Sequence, residues 1–138
     1  MRKITLLTLA LALLVGSAAQ AATFAIDASH SSVGFKVKHM MVSKVRGTFD
    51  SFEGTIEFDE ADPSAWTTSA TIQMASINTA DEKRDGHLRN EDFFDVEQFP
   101  TMTFVSTGVE KDGDDWILRG DLTLHGVTKA VELDLEYN

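Results

Sequence analysis

Histidine is the residue type in this sequence best suited to proton transfer or metal binding, and it occurs four times. The positions are His30, His39, His87 and His125. No two of them have the spacing of a metal-ligand pair, no His-Glu-x-x-His motif occurs, and the chain contains no cysteine. Serines flank His30, but adjacent positions do not build a catalytic triad, and no Gly-x-Ser-x-Gly elbow occurs. The spacing therefore predicts no nucleophilic catalysis, no metal site and no cofactor.

A second concentration of chemical groups is the charged stretch from residue 79 to residue 92. Thr79 and Glu82 have the spacing of a capping box, which predicts a helix over residues 81–90. Two neighbouring carboxylates there could act as a general acid if one had a raised pKa. The basic side chains of the same stretch can instead pair with its acids, so we favour a solvated helix face. Arg84, Asp85 and His87 would then anchor the helix to the rest of the domain.

The remaining chain after residue 22 mostly alternates apolar and polar residues, as strands with one wet face do. Val33, Phe35 and Val37 fall on one predicted face, whereas Lys36 and Lys38 fall on the other. The same alternation recurs over residues 68–74, 101–105, 116–124 and 127–137. About six or seven strands with one helix and no βαβ repeat predict a sandwich or a barrel, and alternation alone does not separate the two.

Glycines mark the predicted irregularities of these strands. Asp112-Gly113 and His125-Gly126 predict tight turns between neighbouring strands. Gly47 and Gly54 lie inside strand-like segments, where a glycine predicts a bend or a bulge.

The composition is strongly acidic, with 12 Lys and Arg residues against 22 Asp and Glu residues and a formal net charge of −10. Without Arg2 and Lys3, which precede the predicted mature start, ten basic residues remain and the formal charge is −12. This excess of acid disfavours nucleic acid and anionic membrane surfaces as partners. Solubility is the simplest interpretation of it.

Residues 1–21 have the features of a secretory signal peptide. Arg2 and Lys3 open it, and the apolar run that follows is shorter than the roughly 20 residues of a membrane-spanning helix. Ala19 and Ala21 fit the small-x-small rule, so we expect cleavage after Ala21. The sequence thus predicts an exported domain over residues 22–138 that has no stable membrane anchor and no disulfides.

Three segments carry a family resemblance. They are VKHMMVSKVRGTF at residues 37–49, the motifs RDGHL, DFFDV and FPTMTF within residues 84–104, and LTLHGVTK at residues 122–129. They resemble the YceI-like family of periplasmic lipocalin-like proteins that bind polyisoprenoid or other long lipid chains. The resemblance implies a periplasmic protein of the all-β class, an antiparallel lipocalin-like barrel with one short helix between strands.

The resemblance also bears on closure of the barrel. Proteins of this family usually continue beyond the LTLHGVTK segment into further closing strands, so we expect incomplete closure here. Residues 131–137 would then have one unpaired edge, which favours homodimerisation or aggregation and weakens lipid binding.

Nine Phe and five Met residues either pack a core or line a cavity, and composition does not decide between these roles. The resemblance implies a cavity that holds one long apolar chain, isoprenoid, isoprenoid quinone or fatty acyl, in a non-enzymatic carrier. The inward-facing lining candidates are Phe35, Val37, Phe49, Ile56, Phe58, Ile72, Met74, Met102, Phe104, Leu122 and Leu124. His39, Arg84 and His87 are the candidates for holding a polar head group. A lipid-modifying enzyme and a stress-response interaction module with a filled core stay open as alternatives.

Overall fold

The computed structural model describes residues 21–39 and 43–137. The predicted signal peptide, apart from Ala21, lies outside these residues, and its cleavage stays a prediction. Within the described residues the chain is mostly strand, with one α-helix.

The elements follow the predicted alternation closely. The strands are β1 (Ala22–Ala25), β2 (Val33–His39), β3 (Ser43–Phe49), β4 (Phe52–Phe58), β5 (Thr67–Gln73), β6 (Ile77–Asn78), β7 (Thr101–Asp112), β8 (Asp115–Leu124) and β9 (Val127–Leu135). The helix α1 (Glu82–Arg89) connects β6 to β7, which confirms the helix predicted for the charged stretch. Two 3-10 turns occupy Pro63–Ala65 and Met74–Ser76.

The strands form two antiparallel sheets. The larger has the order β1-β4-β5-β7-β8-β9, and the smaller has the order β2-β3-β6. Over the described ranges, β9 pairs with β8 alone and β2 pairs with β3 alone, so the sheets do not close into a complete barrel. The predicted class, an all-β antiparallel fold with one helix and incomplete closure, is confirmed.

The hydrophobic core lies where the two sheets and α1 meet. Its most buried members are Phe49, Ile72, Met74 and Ile77, none more than 5% exposed. The register of the larger sheet brings Ile72 beside Met102, so one face of β5 and β7 supplies the floor of this core. The alternation over residues 68–74 predicted Ile72 and Met74 on one face, whereas it did not include Ile77.

A second cluster, of aromatic rings, lies at the opposite end of the larger sheet. Trp66 packs against Phe58, Trp116 and Tyr137, with ring centroids 4.7, 6.0 and 5.3 Å away. The indole N–H of Trp66 donates to the carbonyl oxygen of Asp59 at 2.6 Å. The cluster therefore joins the end of β4 to the chain just after β9.

Of the bend or bulge predicted at Gly47 and Gly54, the bulge is wrong. The register runs unbroken through Gly47 and Gly54, and the shift in register falls between Ser106 and Gly108 instead. A Cβ on Gly54 would collide with the carbonyl oxygen of Ser69, so this glycine permits a close approach of strands.

The predicted hairpin turns are present with one shift. His125 and Gly126 both have positive φ, 51° and 71°, as a type I′ turn between β8 and β9 requires. The ring of Phe99 packs on this turn, 4.4 Å from the imidazole centroid of His125. In the other hairpin Gly113 takes the positive φ, but Asp112 pairs with Asp115, so the turn lies one residue later than predicted.

Candidate ligand cavity

A cavity of about 680 Å³ lies between the inner face of the β2–β3 hairpin and α1. Its walls are Val33, Gly34, Phe35, Val37, Lys38, Val45, Phe49, Arg84, His87, Leu88, Phe93, Phe94, Met102 and Leu124. Val37 and Phe93 are 50% and 49% exposed, so the cavity opens to solvent beside them. Its size falls within the roughly 300–1,000 Å³ typical of small-molecule sites.

The hairpin wall is shaped by aromatic packing around a glycine. The ring of Phe35 lies 5.5 Å from that of Phe49, and Phe49 meets Phe94 edge-on at 6.4 Å. A Cβ on Gly47 would come within 2.5 Å of the Phe35 ring. The absence of a side chain at residue 47 therefore lets Phe35 lie flat against β3 and leaves space beside Val37 and Val45.

The helix wall is held in place by a buried carboxylate. Asp85 is 4% exposed and accepts the backbone N–H of Thr79 on both oxygens, at 3.0 and 3.2 Å. The Thr79 hydroxyl also donates to Asp85, and the Arg84 guanidinium donates to the Thr79 hydroxyl and carbonyl oxygens, each at 2.8 Å. These bonds fix the first turns of α1 to the chain that leaves β6.

This arrangement corrects the predicted capping box. The N-cap is Asp81, whose carboxylate accepts the backbone N–H of Arg84 at 3.0 Å, and Thr79 is engaged by Asp85 instead. The N–H of Arg84 is the main reason that the pKa of Asp81 is lowered from its ordinary value, and partial desolvation opposes the shift. Both Thr79 and Asp81 suit a cap by type, so the sequence alone does not choose between them.

The far end of α1 is tied down by a second guanidinium. The Nε of Arg89 donates to the carbonyl oxygen of Ala75 at 2.9 Å, and Nη2 donates to that of Ile77 at 3.3 Å. The helix is thus bonded to the main chain near both of its ends, and Leu88 faces the cavity between them.

The ionisable side chains that line the cavity are all basic: Lys38, Arg84 and His87. The imidazole of His87 meets the ring of Phe93 edge-on at 4.9 Å, and its Nε2 is 3.4 Å from a carboxylate oxygen of Asp92. This basic rim on an apolar cavity suits an amphiphile with an anionic or polar head.

Seven of the predicted site residues line this cavity: Phe35, Val37, Phe49, Arg84, His87, Met102 and Leu124. Ile72 and Met74 are buried in the core beside it and do not reach its surface. The side chain of His39, the last residue of β2, is outside the described part of the chain.

Four predicted lining residues lie farther along the larger sheet: Ile56, Phe58, Phe104 and Leu122. Phe58 packs against Trp66, and the Phe104 ring covers Gly120, where a Cβ would collide with it. Ile56 is 40% exposed on the inner face, so this part of the sheet is open.

The sequence reasoning missed seven lining residues: Val33, Gly34, Lys38, Val45, Leu88, Phe93 and Phe94. A signal existed for four of them. Val33 precedes Phe35 in the same alternation, and Leu88, Phe93 and Phe94 are apolar residues in an otherwise charged stretch, where each needs something to pack against.

Residues 21–39 and 43–137 show two features that bear on other functions. They contain no group of three or more metal-ligating side chains, and none of their helices has the length and apolar character to cross a membrane.

Comparisons with known proteins agree with this geometry. A family model described as "YceI-like domain" matches residues 24–138. The chain is 46% identical over 130 residues to "Protein YceI" of Escherichia coli, a match that covers 93% of this chain and 68% of that protein. A crystal structure of Burkholderia cenocepacia BcnA is similar with a TM-score of 0.74 at 27% identity, over 79% of this chain and 69% of that one.

A second similar structure is that of a polyisoprenoid binding domain from Saccharophagus degradans. Its TM-score is 0.51 at 20% identity, and the match covers 83% of this chain and 62% of that one. At this identity the likeness concerns the fold.

Proposed function

We propose that this chain, which belongs to the YceI-like family, is a periplasmic carrier that holds one long apolar chain, isoprenoid or fatty. The apolar part would lie against the inner face of the β2–β3 hairpin, and a polar head would face the basic side chains at the rim. Residues 1–21 would direct export as a cleaved signal peptide.

The cavity carries this proposal. Most of its walls are aliphatic or aromatic, and burial of apolar surface contributes about 25 cal/mol for each Å² removed from water. The space is partly open, so a ligand longer than the cavity can extend past Val37 and Phe93. The neighbour described as a polyisoprenoid binding domain has a similar fold, so a fold of this kind can hold such a ligand.

The basic rim suggests how a head group would be held. The Nε and Nη2 of Arg84 are engaged by Thr79, whereas Nη1 is 4.0 Å from a carboxylate oxygen of Asp81 and has room for another acceptor. His87 is 58% exposed at the side chain, so its imidazole can contact a head group without leaving Phe93. Both groups would hold the head group of the ligand, and we propose binding without turnover.

Extraction of the purified mature protein with organic solvent, followed by mass spectrometry, tests the proposal. We expect a co-purified lipid with an isoprenoid or fatty chain. Val45→Trp fills the cavity from β3 and should abolish both the co-purified lipid and the binding of added geranylgeraniol. The matched control is Val105→Trp, at a position 54% exposed on the outer face of β7, which should keep both.

Three results would contradict this function. Folded wild-type protein that yields no lipid and binds neither geranylgeraniol nor stearic acid would favour a filled interaction module. Equal binding by the two tryptophan variants would move the site elsewhere. Chemical conversion of either lipid by the pure protein would favour an enzyme.

A further inference from the structure

Positive charge is concentrated in one segment of this acidic chain. None of the 22 acidic residues lies between residues 28 and 49, whereas four of the ten Lys and Arg residues after Ala21 do. They are Lys36 and Lys38 on β2 and Lys44 and Arg46 on β3. The net charge of the whole chain conceals this separation.

The strand register places these four cations together. Lys36 is directly opposite Arg46, and Lys38 is directly opposite Lys44. Val37 and Val45 of the intervening pair line the cavity, so the alternation assigns the cations to the outer face of the hairpin. Lys38 also reaches the rim of the cavity, whereas the other three cations do not line it. We call the four residues the basic hairpin face.

Nothing in the described ranges neutralises this face. All four residues are exposed, and none of them forms an ion pair with an acid of residues 21–39 or 43–137. Arg119, by contrast, pairs with both Glu110 and Glu132. Like charges directly across a strand pair are destabilising, so the hairpin carries a repulsion that an anionic partner would relieve.

The same hairpin forms a wall of the cavity. Its inner face contributes Phe35, Val37 and Val45, and its outer face carries the cations, of which Lys38 extends to the cavity rim. The outer face of β9 carries the opposite charge, with Glu132 and Asp134. This separation would orient the molecule near an anionic surface with the hairpin and the cavity mouth foremost.

We propose that the basic hairpin face docks on an anionic lipid bilayer, so that the cavity is brought to the source of its ligand. The proposal rests on the carrier function, because a lipid carrier must collect its chain from a membrane. A bilayer suits the face better than a compact acidic protein, since exposed Val37 and Phe93 at the adjoining cavity mouth are apolar. Docking is electrostatic and reversible, in keeping with the absence of a membrane-spanning helix from the described residues.

Vesicle co-sedimentation of the mature protein tests the docking. We expect binding to vesicles of phosphatidylcholine with phosphatidylglycerol, and none to phosphatidylcholine alone. Binding should fall as salt rises from about 0.1 M to about 1 M, because the Debye length shrinks from about 10 Å to about 3 Å. The double variant Lys36→Gln with Lys44→Gln should bind on the order of 10- to 30-fold more weakly.

The matched control is Lys83→Gln with Lys111→Gln, which changes the net charge equally but lies outside the hairpin. It should bind the vesicles as the wild type does. Equal loss in both double variants, or equal binding to the two kinds of vesicle, would overturn the proposal. Oligomers that the hairpin variant alone abolishes, without vesicle binding by the wild type, would assign the face to a second copy and overturn it as well.

Loading of geranylgeraniol in vesicle-free solution separates this proposal from the carrier function. The hairpin double variant should load the probe as the wild type does, because neither substituted lysine lines the cavity. Normal geranylgeraniol loading by a wild-type protein that does not bind vesicles would refute the docking proposal and leave the carrier function intact. Vesicle binding by a wild-type protein that does not load geranylgeraniol would refute the carrier function and leave a site that binds anionic surfaces.

Discussion

Replacement of Asp85 by alanine tests how the helix wall of the cavity is held. The substitution leaves the buried N–H and hydroxyl of Thr79 without their acceptor. A hydrogen bond to a charged group contributes about 1.5–3 kcal/mol, and an unsatisfied buried donor costs about 1–3 kcal/mol. Removal of the carboxylate also ends its own desolvation, which offsets part of that loss. We therefore expect the free energy of unfolding to fall by about 2–3 kcal/mol.

Urea unfolding separates the global effect from the local one. Trp66 and Trp116 lie in the aromatic cluster at the far end of the larger sheet, so their fluorescence reports unfolding of the whole domain. Binding of geranylgeraniol reports the cavity wall. We expect Asp85→Ala to lower the urea midpoint with an unchanged slope and to lose probe binding before the tryptophan signal changes.

Two further variants make the result decisive. Asp92→Ala removes an exposed carboxylate that contacts only His87 in the described contacts, so its effect should stay within about 0.5 kcal/mol. Asp85→Asn keeps one acceptor for the Thr79 N–H and should lie between the wild type and Asp85→Ala. Equal midpoints for Asp85→Ala and Asp92→Ala would refute the anchoring role of the buried carboxylate.

Three other predictions concern stability. Gly120→Ala should lose about 1–3 kcal/mol in urea unfolding, because its Cβ would displace the Phe104 ring. The lowered pKa of Asp81 means that its contribution is present above the ordinary value of 3.8 and is lost as pH falls through the lower folded pKa. Asp81→Asn should therefore flatten the acid limb of a thermal-melt series. Lys36→Glu, opposite Arg46, should raise stability by about 0.2–1 kcal/mol while it weakens vesicle binding.

Alternation predicted the strands well because burial of one face imposes period two directly on the sequence. Val33, Phe35 and Val37 share the inner face of β2 as expected. The His125-Gly126 turn was equally predictable from the sequence, because few residue types adopt two successive positive φ angles.

The cavity was only partly predictable, because alternation assigns a face and not a position along the strand. Phe35 and Phe104 have the same inward signature, yet α1 lies opposite the first and Gly120 lies beneath the second. The choice of Asp81 over Thr79 as N-cap also depends on the three-dimensional surroundings of the two residues. A buried carboxylate six residues after Thr79 accepts that residue's N–H and hydroxyl donors, and the burial that favours this bond cannot be read from the local residue types.

The net charge of the whole chain does not predict which surface of the molecule can dock on a membrane. A formal charge of −10 describes the field far from the molecule, whereas docking depends on charges within about a Debye length, roughly 10 Å at 0.1 M salt. The register brings Lys36 to Arg46 and Lys38 to Lys44, and the acids of β9 lie on another element. An acidic protein can therefore present a cationic face to a membrane, and its remaining acidity keeps the rest of the surface away from the bilayer. Orientation then follows from charge separation rather than from net charge, and it brings the mouth of the cavity to the lipid.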